Sequence, residues 1–209
     1  RAMRRLAPLL LSCALALGGA TAGAKDVLAP GYGRLAYTPP APGSYALPPL
    51  GPAVDGAVRD RNGTARRLHD VLDGKLVLMG FIYTNCPDMN GCPLASYVMK
   101  QVQERLVDDP QLRDEVRLVS LSFDPILDTP RAMKQYAHHF RRPDFDWRFL
   151  TTDSEEDLQP ILEGYGQFRR MFHDKEGNYT GSMSHVLRVY LIDRRSEERR
   201  VGKECPSPC

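Results

Sequence analysis

The 209-residue chain has little charge imbalance, no long hydrophobic run, no internal repeat and only five cysteines. Its Lys and Arg outnumber Asp and Glu by 28 to 26, a formal charge of +2. That balance offers no electrostatic footprint for nucleic acid, and no basic face interleaved with aromatics replaces it. The apolar stretch from Leu6 to Leu17 is too short for an ordinary membrane span, which needs about 20 apolar residues. The missing repeat excludes solenoid and propeller architectures. The remaining composition, 42% hydrophobic and 26% charged, is that of one globular domain.

Both ends of the chain read as something other than fold. Arg4 and Arg5 precede the Leu6–Leu17 stretch, and Ala22-Gly23-Ala24 supplies small residues at a cleavage position. This pattern predicts a signal peptide over residues 1–24, cut after Ala24 or kept as an anchor, and an exported, periplasmic protein. Leu10-Leu11-Ser12-Cys13 has a faint likeness to a lipoprotein box, but the apolar run continues past Cys13, which reads as a signal-peptide cysteine without lipid. Residues 25–52, with Pro39-Pro40 and Pro48-Pro49, read as a Pro/Gly-rich linker that brings the domain near the membrane. At the other end RSEERRVGKEC, from Arg195, resembles the in-frame translation of a common sequencing adapter. Residues 195–209 are therefore expected to be a non-native tail on a C-terminally truncated domain spanning 53–194. Cys13 goes with the signal and Cys205 and Cys209 with the tail, which leaves Cys86 and Cys92.

Between the ends, helical and extended patterns alternate. Asn62-Gly63 predicts a hairpin turn between segments near 57–60 and 65–68. The almost continuously apolar runs Lys75–Thr84 and Val116–Phe123 predict central strands, with shorter ones at Trp147–Leu150 and Val186–Asp193. Leu94, Tyr97, Val98, Gln101, Val102 and Leu106 recur at helical spacing. Thr129-Pro130 and Ser154 open further helices. Alternating strands and helices predict an α/β sandwich with a central mixed sheet flanked by helices.

Cys92-Pro93 puts a thiol at a predicted helix N-terminus, where unpaired N–H groups and the helix dipole favour thiolate. Cys86 precedes it across Pro87-Asp88-Met89-Asn90-Gly91, a loop that Pro and Asn-Gly can bend until the sulfurs converge. Two nearby cysteines in an exported chain indicate a structural disulfide, a redox pair or a metal site. A structural disulfide would close so small a loop that it would restrain the unfolded chain little.

The segments GFIYTNCPDMNGCPLA, SLSFDPILDTPRAMKQYA and SHVLRVYLID, within about Leu50 to Asp193, resemble the Sco/SenC family of copper chaperones. The resemblance implies a thioredoxin-like fold, one copper ion, Cu(I) or Cu(II), and Cys86, Cys92 and His185 as its ligands. It implies delivery of copper to the dinuclear copper centre of cytochrome c oxidase, with subunit II or another copper-accepting protein as partner. The family commonly places three residues between its cysteines, whereas this chain has five. Two thiolates and an imidazole suit copper, and zinc also accepts them. A thiol–disulfide oxidoreductase keeping a recipient's cysteines reduced is the alternative, with Cys86 and Cys92 as the redox pair. A thiol peroxidase is a weaker third reading.

Outside the resemblance, a lone histidine such as His185 ahead of a buried strand reads as a packed residue. His69 is expected in a surface turn, His138 and His139 at a helix end, and His173 in a polar loop; none reads as a ligand. Met89 reads as an exposed loop residue, although its thioether could bind metal weakly. In the family, the segment containing Asp124 lies near the metal loop, where it could orient that loop or serve the partner. Strand-end turn chemistry and a helix cap at Asp128 or Thr129 explain the same residues.

Overall fold

The computed structural model describes residues 38, 40–41, 43–46, 49–194 and 197–201. The signal segment, most of the linker, and Cys13, Cys205 and Cys209 lie outside the described residues.

The last residues of the stretch read as a linker form β1 (Pro49–Pro52). Its two prolines sit on an edge strand, where a missing N–H costs no ladder bond. β2 (Ala57–Asp60) and β3 (Ala65–Arg67) make the predicted antiparallel hairpin. Gly63 takes the left-handed conformation, φ 85°, that the turn requires. The Asp60 carboxylate accepts the Asn62 and Thr64 N–H groups across that turn. The short α1 (Leu68–Leu72) buries Leu68 and Leu72.

Next come β4 (Leu76–Ile82), α2 (Cys92–Val107), α3 (Pro110–Glu115) and β5 (Val116–Ser122). They lead to α4 (Pro130–Phe140), β6 (Trp147–Thr151) and α5 (Glu155–Gly164), the two helices capped by the Thr129 and Ser154 hydroxyls as expected. β7 (Arg169–His173) and β8 (Tyr179–His185) pair only with each other, and β9 (Val189–Ile192) and β10 (Glu197–Val201) follow.

The main sheet runs β1-β10-β9-β4-β5-β6-β2-β3. β4, β5 and β6 are parallel neighbours and every other pairing is antiparallel, giving the expected mixed sheet. α2 and α4 pack on this parallel centre. Val77, Met79 and Phe81 of β4 are buried, as are Leu118, Val119 and Leu121 of β5. Phe81 meets Phe123, Tyr165 and Tyr190 at centroid distances of 5.3, 5.8 and 6.0 Å, an aromatic core beside the end of β4.

Several further features differ from the sequence reading. α3 starts at Asp109-Pro110, where the Asp109 carboxylate caps the Gln111 and Leu112 N–H groups. The buried residues of α2 are Cys92, Leu94, Ser96, Met99 and Gln103, a set that includes two polar side chains. Ser96 and Gln103 turn inward because partners wait there: Tyr136 Oη at 2.8 Å, and the Phe140 carbonyl and Arg142 N–H at 3.0 and 2.9 Å. His173 ends β7 rather than lying in a loop, and the turn itself is Asp174–Asn178. Finally, Glu197–Val201, from the tail set apart on sequence, pairs with both β9 and β1. Antiparallel pairing uses backbone groups that any proline-free stretch can supply.

Candidate metal centre

The parallel strands β4 and β5 end on the same side, the position at which open α/β sheets place their ligands. Tyr83 and Thr84 leave β4, Phe123 leaves β5, and the Cys86 loop lies between β4 and α2. Cys92 is the first residue of α2, with Pro93 in the first turn. Here the sequence reading and the structure agree.

Across the five intervening residues the chain doubles back. The Asp88 carboxylate accepts the Asn90 N–H at 2.9 Å, and the Asp88 carbonyl accepts the Gly91 N–H at 3.0 Å. This turn brings Cys86 against the helix start. The Cys86 Sγ, Cys92 Sγ and a nitrogen of His185 all lie within 4.8 Å of one another. Cys86 is half-buried, Cys92 fully buried and His185 3% exposed, and the two cysteines are not joined in a disulfide.

His185 closes β8 rather than directly preceding the last strand, and its ring is fixed on two sides. Phe123 lies against it at 4.6 Å and Tyr83 meets it edge-on at 5.6 Å. Its Nδ1 is 3.4 Å from the Val186 carbonyl and its Nε2 is 3.4 Å from Cys92 Sγ. A carbonyl can only accept, so the proton is assigned to Nδ1 and the Nε2 lone pair faces the sulfurs. The Tyr83 N–H also points at Cys92 Sγ, at 3.4 Å.

These contacts favour thiolate at Cys86. A hydrogen bond from the Cys92 thiol holds the Cys86 thiol well below its ordinary range, against the opposing effect of burial. The Cys92 N–H and the Tyr83 hydroxyl add to the downward shift. Burial pushes the Tyr83 hydroxyl up, and its hydrogen bond to Cys86 pushes it further, so it stays a donor. The result is a soft S,S,N set that can bind a thiophilic metal or pass electrons as a dithiol.

The other candidates sit apart. His69 is anchored to the Ala53 carbonyl at 2.8 Å, and His138 and His139 end α4. Met89 is 75% exposed at the loop tip. Asp124 is buried and accepts the Ile126 and Leu127 N–H groups and the Tyr179 hydroxyl. The helix cap is Thr129, not Asp128. The contributions of Tyr83 and Phe123 were missed on sequence, because each reads there as one more apolar residue at a strand end. A cleft of about 390 Å³ lined by Arg61, Lys75, Asp114 and Arg141 lies elsewhere, with none of Cys86, Cys92 and His185 in its wall.

An α/β sandwich with a reduced cysteine pair at the strand-to-helix turn, and an imidazole converging on it, defines a thioredoxin-like protein. The sequence pattern of the SCO1/SenC family matches residues 57–203, so the chain belongs to that family. It is similar to the SCO2-like protein of Rickettsia conorii, 30% identical over 134 residues, or 64% of this chain. The chain spans 60% of the length of that relative. Among solved structures it resembles Bradyrhizobium japonicum ScoI with copper bound, at 30% identity and a TM-score of 0.58 over 75% of this chain and 87% of that one. It also resembles a SCO1/SenC family lipoprotein from Bacillus anthracis, at 25% identity and a TM-score of 0.60 over 75% and 85%.

Proposed function

We propose that this chain is a copper-binding metallochaperone, with Cys86, Cys92 and His185 as ligands, that delivers copper to the dinuclear centre of cytochrome c oxidase during assembly. The observation that carries the reading is the convergence of two thiols and one imidazole within 4.8 Å at the ends of the parallel strands. The donor set suits copper, and the half-buried Cys86 leaves one side of the trio open for transfer. The copper-bound state of the Bradyrhizobium relative supports the choice of metal. Subunit II of the oxidase, or another copper-accepting protein, is the recipient on this reading. The lipoprotein nature of the Bacillus anthracis relative supports an exported domain held near a membrane. No helix among the described residues is long and apolar enough to cross one.

Copper titration of the reduced chain, followed by thiolate-to-copper absorption, tests the proposal. One copper binds per chain, and His185→Ala weakens binding much more than His173→Ala. Equal effects of the two substitutions refute the ligand assignment.

The thiolate character of Cys86 supports a second reading, thiol–disulfide exchange. The Cys86 thiolate attacks a substrate disulfide and releases one substrate thiolate, which takes up a proton. Cys92, losing its proton, then displaces the second substrate thiolate. The products are a reduced dithiol and a Cys86–Cys92 disulfide, two electrons having passed to the substrate. Such turnover vanishes with either cysteine changed to Ser and survives His185→Ala.

A further inference from the structure

Asp128 is 1% exposed, yet it is not the helix cap its position before Thr129-Pro130 suggests. Its carboxylate joins the ends of two strands. From Thr84, just past β4, it accepts the hydroxyl at 2.5 Å and the backbone N–H at 3.1 and 3.2 Å to its two oxygens. From Ser122, the last residue of β5, it accepts the hydroxyl at 2.5 Å. Ser122 Oγ in turn accepts the Asp124 N–H at 2.8 Å, and Asp124 accepts the Tyr179 hydroxyl at 2.7 Å. Tyr179 opens β8, the strand that ends at His185. One buried polar chain therefore runs from the strand carrying the imidazole to the residue two before Cys86.

Thr84 is where that chain meets the metal loop. Only the exposed Asn85 separates it from Cys86, whose own N–H reaches back to the Tyr83 carbonyl at 3.4 Å. Beyond Cys86 the loop is held mainly by its internal turn at Asp88. Cys92, by contrast, is set by α2. The distance between the two sulfurs thus depends on how firmly the chain is fixed at Thr84.

We propose that Asp128 is a positioning residue for the dithiol: by clamping Thr84 to the end of β5 it sets Cys86 at its distance from Cys92 and His185. A charged acceptor with several donors is a stiff anchor. Burying that charge where an apolar group would fit opposes stability, so the site gains geometry rather than folding free energy. The metal arm of the test below rests on the copper reading, while the thiol arm does not.

The test compares Asp128→Ala, Thr84→Val, Thr84→Ser and the Asp128→Ala/Thr84→Val double variant in the full chain. Copper Kd and the energy of the thiolate-to-copper absorption are measured on reduced protein. In parallel the Cys86–Cys92 dithiol is equilibrated with glutathione disulfide, which takes up its two electrons and becomes two glutathione thiols. Asp128→Ala and Thr84→Val each weaken copper binding about tenfold, as loss of a ligand's supporting partner does. Both move the absorption band and shift the glutathione equilibrium severalfold. The double variant matches the stronger single one because both substitutions break one link. Thr84→Ser, which keeps the hydroxyl, behaves as the parent. Reduced stability with unchanged band and thiol equilibrium overturns the proposal, as does a fully additive double variant. If Asp128→Ala fails to fold, Thr84→Val decides alone. Parent protein that binds no copper refutes the copper reading, and the glutathione equilibrium still decides the role of Asp128.

Discussion

Asp128→Asn should change how stability depends on pH, in a direction opposite to that of a carboxylate held by a salt bridge. Burial pushes the Asp128 carboxyl up from 3.8 to about 6, and the nearby Asp124 adds to the rise. The Ser122 and Thr84 donors pull it down and do not cancel the rise. A group whose folded value is raised binds its proton more tightly when folded. Its stabilising contribution is therefore full below the unfolded value of 3.8 and fades as pH rises through about 6. Between pH 8 and 5 the parent should gain about 1.4 kcal/mol relative to the Asn variant, approaching about 3 kcal/mol well below pH 4. The assay is urea unfolding of both proteins from pH 8 to pH 4, read as the difference between them. The subtraction removes Cys86, whose depressed thiol acts in the opposite sense. A difference that stays flat, or grows as pH rises, refutes the account of Asp128 as a charge held against its surroundings.

Cys86 should react with iodoacetamide far faster than buried Cys92, at a rate nearly constant from pH 6 to 9; a rate rising tenfold per pH unit would refute its thiolate character. Gly164→Ala should destabilise by about 1–3 kcal/mol despite Ala's better helix propensity, because the new Cβ would meet Val54 side-chain atoms at 2.2 to 2.9 Å. Denaturant unfolding checks this, and a gain in stability would sink it. Ser154→Ala should cost about 1 kcal/mol by the same assay, since its hydroxyl accepts the Asp157 N–H at 3.1 Å at the start of α5.

The central strands and helices were legible because burial on two faces imposes near-continuous apolar runs, as in β4 and β5. The β7–β8 hairpin was not: Arg169–His173 is mostly exposed and polar, so no apolar period marks it. α2 misled by containing Ser96 and Gln103, whose partners on and beyond α4 lie far away in sequence. The cysteine pair was found by subtraction. His185 needed the family pattern, since its neighbours Phe123 and Tyr83 converge on it only in three dimensions. Asp128 stood where a cap is expected, and nothing local reveals that its partners are Thr84 and Ser122.

The trio also has an order of assembly. Cys86 and Cys92 are neighbours in the chain, and the turn at Asp88 can bring them together early. The imidazole comes from 93 residues beyond Cys92. During synthesis or export both thiols emerge long before the third donor exists, and closing so long a loop is slow. A thiophilic ion that meets the nascent chain finds only two donors, and so does an oxidant. If the trio is the metal site proposed above, three-donor binding begins only after β8 has docked, so full affinity for the ion would mark a chain folded at least through β8.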